Sequence, residues 1–510
     1  MIVLRLFDSS DVTRLGRCAV LLLGACGTDR ATQPPPAQKS HYVSPTGTSA
    51  GDGTQSQPWD LGSGLAGAAG RVQPGDTIWL RGGTYRGAHR STVSGAPGSA
   101  VVVRQYPGER AILDAAGATT DSVRGDFLTV GGDYTVLWGL ELTDSDPNRA
   151  TTTRPNMIVN DASHTKYINL VVHDGGIGFY NYPTRSDVEV NGCIIYNNGW
   201  SVGGRGGGHA LYVRSDAGPL VLRDNVLFDQ YGYGIHAYSD AGRGMLNNIR
   251  TDGNVSFNNG LLAGNPSGAN ILVGGFEPAD GSVGVDNMTY FSPGVNSANV
   301  RLGWSPSKVL NGSLTFTHNY VVGGTLVLDV HSWRQATVTG NTVVGGGASK
   351  VVHLEDSTTT GYNWASDQYY HDPMDTAWSY HGRSYTFGAW QAATGLGTTD
   401  QAAGTMPAEP VVLVRPNLYA PGRAHIVVYN WGHAGAVPVD VAAVLRSGDA
   451  YLVRSVQALF DPPLVSGVYT GGSITVPMSP RPPPVPVGLA SSPAPATLPE
   501  FDVFLLTRAP

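Results

Sequence analysis

Histidine, arginine and tyrosine recur at alternate positions of short apolar runs through the middle of the chain. Period-two alternation places Leu211, Val213, Ile235, Ala237, Val300, Leu302, Leu328, Val330, Val352 and Leu354 inward. The outward positions are then Tyr212, Arg214, His236, Tyr238, Arg301, Asp329, His331, His353 and Glu355. Flanking loops are expected to add His173, Asp174, Tyr180, His209, Glu277, Trp304, Trp333 and Arg334. These residue types suit removal of a proton beside a carboxylate, with loss of an oxygen leaving group. Arg214 or Arg301 can clamp the carboxylate bidentately. His236 can take the proton, because an ordinary imidazole titrates close to working pH. Tyr238 or Tyr212 can donate to the leaving oxygen. With Asp329 and His331 these form the candidate catalytic set. His209, His173, Trp304, Trp333, Arg334, His353 and Glu355 form the candidate substrate-binding set. Calcium can stand in for an arginine, with Asp174 as a candidate ligand. Asp216 and Asp240 also offer oxygens, but each sits in a Ser-Asp-Ala-Gly turn that capping already explains. Outward residues of a wet sheet are polar in any case; the choice of His, Arg and Tyr over Ser, Thr and Lys is what points to function.

The elements that must align these residues are repeats. Short strands end near an Asn and a turn, as in Arg223-Asp224-Asn225-Val226-Leu227-Phe228, Asp252-Gly253-Asn254-Val255-Ser256-Phe257 and Thr339-Gly340-Asn341-Thr342-Val343-Val344. The recurring position holds Asn169, Cys193, Asn225, Asn254, Asn287, Asn319 and Asn341, at intervals of 22 to 33 residues. Gly139 starts the series. Strand repeats of this size predict a solenoid, specifically a parallel β-helix in which each coil pairs with the next. An Asn at one bend then stacks on the Asn of the next coil. Leu61 to Val72 predicts a short capping helix at the first coil, and a solenoid needs capped ends.

The opening resembles secreted right-handed parallel β-helix proteins of the pectate-lyase-like group. The resemblance rests on His41-Tyr42-Val43-Ser44-Pro45, Asp52-Gly53-Thr54, Pro58-Trp59 and the run from Pro74 to Tyr85. Gly208-His209-Ala210-Leu211-Tyr212-Val213 and Tyr233-Gly234-Ile235-His236-Ala237-Tyr238 resemble that group's strand repeats. It implies a polysaccharide-active protein, a lyase in many members and a glycosidase or epimerase in others. The chain departs from it in lacking the Arg-x-Pro-x-x-Arg and clustered Asp set of pectate lyases, and the Asn-Thr-Asp and Asp-Asp motifs of polygalacturonases. Elimination from a uronic-acid-containing extracellular polysaccharide fits the residue types best. Two alternatives stay open. Asp329 and Glu355 on neighbouring coils suit two-carboxyl hydrolysis. A non-catalytic, glycan-binding surface lipoprotein is the other.

Four segments are expected. Residues 1–26 read as a signal peptide ending in a lipobox, Leu23-Gly24-Ala25-Cys26, with Cys26 the lipidated residue. Residues 27–40 read as a polar tether, 41–407 as the β-helix with an aromatic-rich C-terminal cap, and 408–510 as a small antiparallel β-sandwich containing a Pro-rich loop. The expected setting is export, with lipid anchoring at the cell surface or in the periplasm, or secretion; the expected partner is polysaccharide and the expected state a monomer. Composition agrees with an all-β protein. Gly and Pro number 68 and 34 of 510 residues, and both are poor in helix interiors. A net charge of −7 argues against a nucleic-acid partner. Only three cysteines are present, which excludes a Cys-based zinc site.

Overall fold

The computed structural model describes residues 38–118, 125–149, 154–202, 205–263, 268–307, 309–356 and 359–509. Cys26 and the expected leader lie outside them. Three sheets of 12 strands each run the length of the solenoid. The first sheet extends from Ser40–Val43 to Tyr362–Ala365. The second runs from His89–Ser91 to Arg383–Tyr385, and the third from Gly83–Arg86 to Gln401–Ala403. Within each sheet spatial order follows chain order and pairing is parallel, except for the hairpin Trp378–Tyr380 with Arg383–Tyr385 at one end. The parallel β-helix inferred from the repeats is therefore borne out.

Each coil contributes apolar side chains to one continuous core. In the second sheet Leu211, Ile235, Ile271, Val300, Leu328 and Val352 lie in register, as do Val213, Ala237, Val273, Leu302, Val330 and Leu354. All are buried. Complete burial of a Val, Leu or Ile side chain contributes roughly 1.5–3 kcal/mol, so the stack is stabilised rung by rung.

The bend between the first and third sheets is built from two adjacent columns. One column is left-handed: Gly139, Asn169, Gly192, Asp224, Gly253, Asp286, His318, Gly340 and Ser366 all have φ between 51° and 70°. The next residue in each coil points inward. There Asn225 donates through Nδ2 to Asn254 Oδ1 at 2.9 Å, and Asn254 to Asn287 at 3.0 Å. Asn287 continues to Asn319 at 3.0 Å and Asn319 to Asn341 at 2.9 Å. Asn341 ends the amide run on Asp367 Oδ1 at 3.0 Å. Each Oδ1 also accepts the backbone N–H of the preceding rung, as between Cys193 and Asn225 at 3.0 Å. Asn169 does not belong to this ladder. Val171 pairs with Ile194, so Leu170 is the rung that meets Cys193, and Asn169 sits with Gly139 in the left-handed column. Asn tolerates that conformation, which is why it occurs in both columns.

At the first coil a helix, Leu61–Leu65, is N-capped by Asp60, which accepts from Ser63 N. At the other end helix Phe387–Thr394 packs Trp390 against Trp364, while Tyr369 and Trp378 are fully buried. The aromatic segment thus closes the core.

The C-terminal part is antiparallel. Strands Val411–Pro416, Arg423–Tyr429, Phe501–Arg508, Ala450–Ser455 and Val465–Val468 form one sheet in that order. A ribbon of Ala436–Asp440 and Ser473–Pro477 packs on it, giving the expected sandwich. Alternation gives the larger sheet two apolar faces. Ile426, Val428, Phe504 and Leu506 face the ribbon. Val427, Tyr429, Phe501, Val503 and Leu505 face Ile194, Phe228, Phe257 and Tyr290 on the third sheet of the solenoid. The Pro-rich loop also lies on the solenoid: Arg149 Nε donates to the carbonyl of Val487 at 2.8 Å, and Asp174 accepts from Val487 N at 2.8 Å.

Candidate active site

The outward face of the second sheet carries one column fixed by strand register. Its members are Tyr180, Tyr212, His236, Leu272, Arg301, Asp329 and His353. Six steps of roughly 4.8 Å make a strip about 29 Å long. Tyr238, Trp304, His331 and Glu355 lie just beyond the strand ends beside it.

Two clusters form along the strip. In the first, the His236 ring stacks between Tyr233 at 4.2 Å and Tyr238 at 4.8 Å. His209 and Tyr212 close around it at 4.2 and 4.9 Å. Burial, reinforced by the neighbouring His209, drives the His236 pKa well below the ordinary imidazole value. This corrects the expectation of a ring titrating near working pH: the imidazole is held neutral. Tyr238 moves the opposite way, to about 12, through burial and then the charge of Asp240, whose Oδ1 accepts its hydroxyl at 3.2 Å. Tyr238 therefore keeps its proton and can act only as a donor. Arg214 is buried, donates from Nη1 to the carbonyl of Arg243 at 2.7 Å, and lies over Tyr180 and Tyr212 at 5.3 and 5.5 Å. It braces the tyrosines rather than presenting a fork to the groove.

The second cluster is ionic. Arg301 donates through Nε to Asp329 Oδ2 at 3.1 Å and lies 4.6 Å from the Trp304 ring. Trp304 meets Tyr238 edge-on at 5.8 Å, which links the two clusters. His353 places Nδ1 at 2.8 Å from Asp329 Oδ1 and Nε2 at 2.5 Å from Glu355 Oε1. His331 also faces Asp329. Burial alone raises the pKa of a carboxyl group, but the two imidazoles and Arg301 hold Asp329 well below the usual carboxylate range.

Four sequence-derived candidates lie elsewhere. His173 and Asp174 belong to the third sheet and its bend, beneath the C-terminal domain. His173 stacks on Tyr196 at 4.9 Å, and Asp174 is paired with Arg149 at 2.6 Å. Asp174 is therefore no calcium ligand. Asp216 caps Met245 N at 2.8 Å and Asp240 holds Tyr238, so the carboxylates offered for calcium do not converge. Trp333 is buried in the core, donating from Nε1 to the Leu302 carbonyl at 3.1 Å. Arg334 is exposed on the first sheet. Sequence reasoning left out Tyr233, which lies immediately before the Gly-Ile-His motif, and placed Tyr180 in a loop rather than in the column.

Residues 41–288 match the model of the Pel9A-like, right handed beta helix region. The matched region is, by that description and by its three parallel sheets, a right-handed β-helix. The chain is 24% identical over 292 residues to pectate lyase L of Thermoclostridium stercorarium. That alignment covers 54% of this chain but only 21% of that relative, so the chain spans about a fifth of its length. Among solved structures, a rhamnogalacturonan lyase superposes with a TM-score of 0.49 at 19% identity, covering 64% of this chain and 86% of that one. A GH136 lacto-N-biosidase from Eubacterium ramulus gives 0.45 at 13%, covering 71% and 68%. These likenesses are of fold.

Proposed function

We propose that the protein is a polysaccharide lyase that cleaves a uronic-acid-containing extracellular polymer by β-elimination along the second sheet. The observation that supports this most is the register-locked column, which sets proton-transfer groups and a guanidinium on one polymer-length strip. Arg301, oriented by Asp329 and Trp304, neutralises the uronate carboxylate. His236 is already neutral and accepts the C5 proton. Tyr238, protonated and stacked beside it, turns its hydroxyl from Asp240 to donate to the departing glycosidic oxygen, which leaves with the C4–O electron pair while the pair of the broken C–H bond becomes the new C4–C5 double bond. The residues do not fit calcium, and no step runs through it.

Hydrolysis by Asp329 and Glu355 is the weaker reading. Asp329 is ion-paired from several sides and has no proton to give, so it makes a poor acid and a hindered nucleophile. Incubation with a panel of uronic-acid and neutral polysaccharides separates the readings. Unsaturated products seen by ultraviolet absorbance, together with new reducing ends, support elimination. Reducing ends without absorbance overturn it in favour of hydrolysis. Polymer retardation in an affinity gel without turnover supports a binding protein. We also propose export and lipid anchoring through Cys26. A Cys26→Ala variant that still fractionates with membranes would overturn the anchor.

A further inference from the structure

We propose that Asp329, His331 and His353 form a binding site for a divalent transition cation with nitrogen and oxygen preference, zinc being the test ion. The inference does not rest on the lyase reading, and the site lies three rungs from His236. The three donor atoms lie within 4.8 Å of one another. Both imidazoles converge on a single oxygen: His353 Nδ1 stands 2.8 Å from Asp329 Oδ1, and His331 Nε2 faces the same atom. His331 is 1% exposed; its Nε2 pairs with Asp329 Oδ1, and its Nδ1 has no hydrogen-bond partner. Two imidazole nitrogens gathered on one carboxylate oxygen are a donor set that a divalent cation takes. A cation between the three atoms would satisfy them all.

The surroundings are those of a metal site. His353 directs its other nitrogen to Glu355 Oε1 at 2.5 Å, the carboxylate–histidine relay that orients metal-ligating imidazoles. Arg301 occupies Asp329 Oδ2, leaving Oδ1 for the ion. Two nitrogens and one oxygen suit zinc, with the remaining position open to water or substrate; calcium prefers six to eight oxygens.

The test uses the full chain without a histidine tag, stripped with chelator and titrated with zinc chloride by calorimetry. One equivalent is expected to bind and to raise the thermal midpoint. Cobalt substitution should give visible absorption of nitrogen-and-oxygen ligation. His353→Gln and Asp329→Asn should weaken binding at least 100-fold, and Glu355→Gln about 10–100-fold. Should Asp329→Asn fail to fold by circular dichroism, His353→Gln decides, because the His353 side chain is less buried than that of Asp329. Absence of stoichiometric zinc, or wild-type affinity in His353→Gln, overturns the site. Tight zinc binding without elimination on any polymer would overturn only the lyase reading.

Discussion

Two faces of the same solenoid obey the same alternation and have opposite characters. The third sheet presents Tyr196, Phe228, Phe257 and Tyr290 outward, with successive rings stacked from Tyr196 to Phe257 at 5.0 and 4.7 Å. The C-terminal sheet covers this ladder, and Phe501 stacks on Tyr290 at 4.5 Å. The second sheet presents Tyr, His, Arg and Asp outward, and no domain packs on it among the described residues. Coil geometry is therefore indifferent to what its outer surface carries; what covers a face determines which residues it holds. The buried face gains from large apolar area. The open face holds groups whose charge states are set by one another.

The sharpest break of the comparison is His236→Ala, expected to lower kcat about 10²–10⁴-fold on a cleaved polymer, a loss far larger than its effect on stability accounts for. Steady-state absorbance kinetics with a melting curve read both. On the covered face, Phe257→Ala should do the reverse. It should cost about 3–5 kcal/mol in denaturant unfolding, with kcat little altered in the surviving folded protein.

The covered face also contains a titration. Burial lowers the pKa of His173, but hydrogen bonds to Asp174 and Glu141 overcome it and lift the ring to about 8. A raised folded value means the contribution is complete below the unfolded value of 6.5 and is lost as pH rises through about 8. Unfolding free energy should therefore drop by about 2 kcal/mol across that window, and His173→Gln should flatten the drop. The smallest effect concerns neither face. Asp367 terminates the Asn ladder, its carboxyl raised to about 8 by burial, and its Oδ2 has no partner. Asp367→Asn extends the ladder chemically and should stabilise the protein by about 1 kcal/mol without changing activity.

Much of the solenoid was legible because its repeats leave residues of fixed type at fixed places. The inward Leu and Val positions and the Asn column follow from alternation and from backbone groups that must be satisfied at every bend. Asn169 misled because the left-handed column and the inward column are adjacent and both accept Asn. The open face was legible in composition, since Tyr212, His236, Arg301, Asp329 and His353 all occupy outward strand positions. His173 and Asp174 were misplaced because a polar residue under a docked domain looks, in sequence, like one facing solvent. Trp333 was misplaced because a tryptophan near polar residues gives no sign of which way its ring turns. The neutrality of His236 follows only from five rings meeting in space, which no single segment encodes.

The sandwich has a mechanical consequence. A stack of coils joined only edge to edge is a spring, free to stretch or twist by small amounts at each turn. Here one antiparallel sheet is fastened across successive turns, with contacts spread from Ile194 to Val344 on the third sheet. Those turns also carry the strip from Tyr212 to His353. The domain therefore acts as a splint, and the distance from His236 to His353 becomes a gauge length that thermal flexing cannot easily change. A chain molecule laid along the strip would meet its contacts at a constant interval.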